Sequence, residues 1–182
     1  MGVNHLTVDV GSPRNLGAII RTINVLCGKS SKLFIYDPRD RLVTDIEEIK
    51  LTSTELVDKN EHEVVKDIAI FLENYKGRIV KTDLSEDAVP LPEFRFKEDD
   101  LILYGNENRG YLNKALEKVP GVYENADCSI KIPMLGENHP LPDRGKVVHP
   151  NHGEELNMNV NTVVAIVAYA ALEQLGYLVK KP

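Results

Sequence analysis

Leu101-Ile102-Leu103-Tyr104-Gly105-Asn106-Glu107-Asn108-Arg109-Gly110 is the stretch that decides the fold. Asp100 to Tyr104 reads as a short buried strand, and a glycine at a strand's carboxyl end lets a ligand or another backbone approach closely. Two other segments have the same form. Val3 to Val10 alternates, is rich in β-branched residues and is closed by Gly11-Ser12-Pro13; Asn15-Leu16-Gly17 follows, with Arg21 and Gly28 beyond it. Cys128 to Ile132 runs into Pro133-Met134-Leu135-Gly136 and is answered downstream by Leu156-Asn157.

Working outward, Lys32 to Tyr36 and Arg78 to Thr82 read as further short strands. Leu16, Ile19, Ile20, Ile23 and Leu26 or Cys27 recur at helical spacing, which predicts a helix capped by Asn15 and ended near Gly28, with Arg21 on a different face. Glu61 to Tyr75 reads as an amphipathic helix, a shorter helix is expected around Asn113 to Lys118, and a long one over Asn157 to Leu175 that is apolar round much of its circumference. Arg39 to Asn60 is polar and gives no clear element. Asp83 to Glu98, with Pro90 and Pro92, reads as a surface excursion. Strands alternating with helices predict an α/β domain, a mostly parallel sheet with helices on both faces. In such sheets ligands bind beyond the carboxyl ends of the strands, where all three punctuated segments fall.

The 182 residues suit one domain, residues 1–182, and the 42% hydrophobic and 27% charged composition is that of an ordinary globular chain rather than a disordered or disulfide-stapled one. No apolar run is long enough to span a bilayer, and the amino terminus lacks the pattern of a secretory signal, so a cytoplasmic protein without membrane association is expected. Cys27 and Cys128 are isolated and read as small core residues. A net charge of −6 argues against indiscriminate nucleic-acid binding and leaves room for a local basic face of Arg14, Arg21, Lys29, Lys32, Arg39 and Arg41, joined by Arg109, Lys114, Arg144 and Lys146 if the glycine-rich ends converge, although composition alone favours an ordinarily charged surface.

Taken together, the three segments resemble the SpoU class, or TrmH family, of knotted SPOUT RNA methyltransferases. The first motif is matched by Asn15, Gly17, Arg21 and Gly28, the second by Gly105, Glu107 and Gly110, and the third by Ile132-Pro133-Met134 and Gly136, continued by Leu156-Asn157. The resemblance spans the chain nearly end to end. It implies S-adenosylmethionine-dependent methyl transfer, most often to a ribose 2′-hydroxyl of tRNA or rRNA, in a homodimer with a carboxy-terminal trefoil knot and no metal. It also implies that the backbone around Leu103, Gly105, Ile132, Met134 and Leu156 holds the adenosyl group. Arg21 would position RNA and stabilise developing alkoxide charge, since a guanidinium with a pKa above about 12 is an awkward base. Asn15 and Asn157 would orient the reactants, and Glu107 would order the glycine-rich loop or pair with a basic neighbour.

The chain departs from the family pattern at 137–155, which is inserted before Leu156-Asn157 and puts Glu155 where the family has serine. A carboxylate there could accept the hydroxyl proton or repel RNA phosphate. The insertion reads as a substrate-contacting lid; His149 and His152, separated by Pro150 and without a helix, make a poor metal template. The sequence shows no separate amino-terminal RNA-binding module, so the domain is expected to select its own RNA, with tRNA favoured. A non-catalytic RNA-binding or assembly protein with the same fold is the second reading, supported by Glu155 and the acidic charge. An α/β enzyme acting on another nucleotide or small molecule is the third, and it requires the three-part match to be accidental.

Overall fold

The computed structural model describes residues 2–59, 62–133 and 158–178, with the backbone of two further strands over 146–149 and 153–156. In chain order the elements are β1 (Asn4–Val8), α1 (Pro13–Cys27), β2 (Leu33–Tyr36), α2 (Arg41–Thr44), α3 (Ile46–Ser53), β3 (His62–Val64), α4 (Ile68–Asn74), β4 (Ile79–Thr82), β5 (Val89–Pro90), β6 (Leu101–Tyr104), α5 (Val122–Asn125), β7 (Cys128–Lys131), β8 (Lys146–His149), β9 (Gly153–Leu156) and α6 (Val160–Gln174). The first seven strands form one sheet in the order β3-β2-β1-β6-β4-β7-β5, and every neighbouring pair is parallel.

The unbroken apolar runs are explained by burial on both faces, as a parallel sheet requires. Successive side chains of β6 point to opposite sides. Ile102 and Tyr104 join Val80 and Ile130 against α1 and α6, while Leu101 and Leu103 join Leu6, Val8 and Ile79 against α4 and α5. Burying each large aliphatic side chain contributes about 1.5–3 kcal/mol. Register sets Leu103 beside Leu6 on one side and Lys81 on the other, and Thr82 beside Ile130. The carboxyl ends of β1, β6, β4 and β7 therefore emerge side by side.

Tertiary structure changes several local expectations. Ser12, not Asn15, is the N-cap of α1; Pro13 starts the helix with the φ and missing N–H that suit a first turn, and Asn15 lies inside it. The expected helix over Glu61 to Tyr75 is divided, because residues 62–64 pair with β2 and Asp67 caps a shorter α4 by accepting from the Ile70 N–H at 3.1 Å. No helix forms over 113–118, where Leu116 is left-handed (φ 61°) and Leu112 bridges to Lys118. The segment 83–98 is not merely surface, since Ala88, Leu91, Phe94 and Phe96 are buried and β5 extends the sheet edge beside β7. The last helix begins at Val160. Within the insertion, β8 and β9 pair antiparallel, Lys146 with Leu156 and His149 with Gly153. The threading that would make a knot runs through 134–157, outside the described residues apart from the backbone of those two strands. Among the described residues no helix is long and apolar enough to cross a membrane.

Candidate active site

A cavity of about 340 Å³ opens beyond the carboxyl ends of β4, β6 and β7. Its lining combines apolar side chains, Leu91, Ile130, Ile132, Val160, Val163 and Val167, with the polar Thr82, Asp83, Ser85 and Glu107 and the Gly105–Gly110 loop. Its size and mixed lining suit a small molecule with an apolar body and a few polar handles.

The Gly105–Gly110 loop is a tight hairpin. Asn106 and Gly110 exchange backbone hydrogen bonds of 2.7 and 2.8 Å, and a Cβ on Gly105 would meet the Gly110 carbonyl at 2.7 Å. Gly110 itself has a left-handed φ of 57°. Asn106 ties the hairpin to β1 by donating from Nδ2 to the Asp9 carbonyl at 2.7 Å and accepting from the Asn108 N–H at 3.0 Å. The floor is equally fixed, because the Tyr111 hydroxyl and the Thr82 hydroxyl both reach the Leu103 carbonyl, at 2.7 and 3.0 Å.

At the rim, Glu107 accepts from the Gly11 N–H at 2.5 Å and from the Asn15 side-chain amide. Asn15 turns its own carbonyl oxygen to the Nδ2 of Asn159, at 3.1 Å, while Asn159 caps α6 by accepting from the Asn161 N–H at 2.9 Å. Thr22 adds a second tie between the two helices by donating to Asn161 Oδ1 at 2.9 Å. An ionised carboxylate only accepts, so it dictates which end of the Asn15 amide faces it and which is left for Asn159.

Of the residues picked out in the sequence, Gly105, Ile132 and Glu107 line the cavity and Asn15 is hydrogen-bonded to Glu107. Leu103 lies fully buried beneath the cavity rather than on its wall. Arg21 is exposed on α1, and its side chain makes no hydrogen bond or ion pair among the described residues. Met134 and Asn157 lie outside the described residues, as do the side chains of Glu155 and Leu156. Sequence reasoning missed Asp83, Met158 and Asn159: Asp83 stood at the start of a proline-rich stretch with no pattern, and Asn159 signalled only as a polar residue near a helix start. Asp83 holds Lys81 in an ion pair at 2.5 Å, and the Lys81 ammonium sits 4.9 Å from the centre of the Tyr123 ring. Burial pushes the Tyr123 hydroxyl pKa up, so it stays protonated. Among the described residues no group of three His, Cys, Asp or Glu side chains is placed to hold a metal.

The sequence model of the SpoU rRNA Methylase family matches residues 3–141. The chain belongs to that family. No curated protein matches it in sequence. Solved structures that resemble this SpoU methylase include one from work on "the 2-OH methylation of C/U34 on tRNA", with 23% identity and a TM-score of 0.67 over 97% of this chain and 92% of that one. The TrmH/SpoU tRNA modifying enzyme of A. aeolicus shares 22% identity at a TM-score of 0.68, covering 97% and 76%. The SpoU methyltransferase AviRb of Streptomyces viridochromogenes, solved with AdoMet, shares 20% at 0.64, covering 96% and 60%. At these identities the likeness establishes the fold.

Proposed function

We propose that this SpoU methylase transfers the methyl group of S-adenosylmethionine to a ribose 2′-hydroxyl of tRNA or rRNA, acting as a cytoplasmic homodimer of single-domain chains. The observation that carries the reading is the cavity beyond β4, β6 and β7, with the Glu107–Asn15–Asn159 chain of hydrogen bonds at its rim. Its donor set fits the cofactor: the lining offers aliphatic side chains for an adenosine ring and hydroxyl, carboxylate and backbone groups suited to a ribose and an amino acid tail. Bound there, S-adenosylmethionine supplies an electrophilic methyl on a sulfonium.

The chain's own residues then supply position and charge. Glu107 and Asn15 tie the loop after β1 and the first turn of α1 to the loop after β6, which fixes where a hydroxyl meets the cavity mouth. Arg21 grips an RNA phosphate and stabilises the negative charge that develops on the ribose 2′-oxygen, whose proton passes to solvent water. Its exposed position, off the cavity wall, supports a site completed by a second copy of the chain. The helices that would meet that copy, α1 and α6, pack together and expose Val25 (71%) and Tyr169 (51%).

The test is methyl transfer from labelled S-adenosylmethionine to unfractionated tRNA and rRNA, with digestion to nucleosides and mass analysis. A ribose-methylated nucleoside is expected. A dimeric, folded protein that binds no S-adenosylmethionine, with or without RNA, overturns the assignment.

A further inference from the structure

Three arginines converge beside the cavity, where β1, β2 and the loop after β6 end. Asp9 has a left-handed backbone (φ 50°) and is only 4% exposed. Its carboxylate accepts from Arg39 Nε at 2.5 Å and from Arg109 Nη2 at 2.9 Å, and Arg39 also donates to the carbonyls of Asp9 and Val10 at 2.9 and 3.2 Å. The third, Arg41, is 6% exposed, and its side chain has no hydrogen bond or ion pair among the described residues. Asp9, Asp37 and Glu107 act on it only through space, and Asp37 spends a carboxylate oxygen on the Leu42 N–H at 2.9 Å.

A guanidinium is costly to bury without a partner. Burial and the neighbouring Arg39 charge push the Arg41 pKa down, which is the sign of that cost. Yet none of its nitrogens is both sealed from solvent and unpaired, so its stem is packed and its fork still reaches water. Arg109 Nε, by contrast, is sealed and unpartnered. The cluster therefore holds more donors than the acceptors around it satisfy, one of them a nearly buried fork open at its tip.

We propose that Arg41, backed by Arg39, is a phosphate-binding site that grips a backbone phosphodiester of the substrate RNA next to the nucleotide being methylated. The inference rests on the RNA-methyltransferase reading. Its neighbours tie it to the cavity mouth: the charge of Glu107, which lines the cavity, acts on Arg41, and Arg39 donates to the carbonyls of Asp9 and Val10, which run directly into Gly11, whose N–H Glu107 binds. A planar fork suits a phosphodiester, and in a chain of net charge −6 such a point supplies attraction where it is needed.

The experiment measures the affinity of the wild type and of Arg41→Gln for unfractionated tRNA between about 50 and 200 mM KCl, alongside S-adenosylmethionine binding by calorimetry. A phosphate contact is blind to sequence, so this probe suffices. Arg41→Gln is expected to bind tRNA several-fold more weakly, with the slope of log K against log salt reduced by about 0.7–0.9 and cofactor binding unchanged. A folded variant with the wild-type affinity and slope overturns the site while leaving the methyltransferase assignment standing. If Arg41→Gln fails to fold, Arg41→Lys replaces it: retained slope with several-fold weaker binding is expected, and unchanged affinity overturns the site. Wild-type protein that binds cofactor but neither binds nor methylates RNA overturns both.

Discussion

The side-chain amide of Asn15 donates to Glu107 although the two lie 92 positions apart in the chain. This bond joins the first turn of α1 to the loop after β6, and the second carboxylate oxygen of Glu107 is held by the Gly11 N–H at 2.5 Å. One acid thus fixes two elements that frame the cavity mouth.

Glu107→Gln makes that dependence measurable. An amide keeps one acceptor and presents a donor where the carboxylate accepted, so at least one bond among Gly11, Glu107, Asn15 and Asn159 is lost, whether or not the Asn15 amide turns over. We expect methyl transfer to fall by about 10- to 100-fold with cofactor affinity little changed. Transfer at the wild-type rate would remove the positioning role from Glu107.

Gly17 serves packing rather than ligand approach. A Cβ there would strike Thr52 Oγ1 and lie 2.6 Å from the Ile49 carbonyl, because α3 crosses α1 at this point. Gly17→Ala should lower stability by about 1–3 kcal/mol, read from urea unfolding, through forced separation of the two helices. An unchanged or raised midpoint would contradict the close crossing.

These two residues show what could be read along the chain. The strand of Leu101 to Tyr104 and its glycine were local information, and so was the apolar spacing of α1. Residues 62–64 carried a spacing compatible with a helix, and only pairing with β2 made them a strand. Phe94 and Phe96 sit in a proline-rich stretch with no period, yet both are buried, and Gln174 from α6 bonds the Phe94 carbonyl at 3.1 Å. The Glu107–Asn15–Asn159 chain joins three distant segments, so no spacing could announce it. The motif resemblance found two of its members and passed over the third.

His5 makes stability depend on pH. It is fully buried in β1, its Nδ1 lies 3.0 Å from the Tyr104 hydroxyl, and burial pushes its pKa from 6.5 down to about 3. The unfolded chain takes up a proton near pH 6.5 that the folded chain refuses, so this group leaves stability level above that pH. As pH falls from about 6.5 towards 3 it removes about 1.4 kcal/mol per unit. His5→Gln should therefore lose about 2 kcal/mol less than wild type between pH 7 and pH 5 in urea titrations. Parallel losses in the two proteins would show that His5 is protonated in the fold.

Arg21→Ala separates chemistry from cofactor binding. The side chain is exposed and bonds nothing among the described residues, so its removal should not move the thermal midpoint or S-adenosylmethionine affinity. Loss of a group that stabilises charge only as the reaction proceeds should cost about a hundredfold or more in transfer rate. Unchanged methylation would refute its role.

Filling the cavity from α6 tests where the cofactor lies without disturbing the glycine loop. A side chain on Gly105 would press on the Gly110 backbone, so a Gly105 variant would confound loop damage with steric exclusion. Val163 avoids this, since it is half-buried and lines the cavity from a helix interior. A tryptophan there projects into the space of about 340 Å³ and takes the volume of an aromatic ring from it. Val163→Trp should keep the fold and lose saturable S-adenosylmethionine binding in calorimetry, whereas Val163→Ala, which enlarges the cavity, should retain it with modestly weaker affinity. Full binding by a folded Val163→Trp protein would move the cofactor out of this cavity, and the assignment of Gly105 and Ile132 to its walls would move with it.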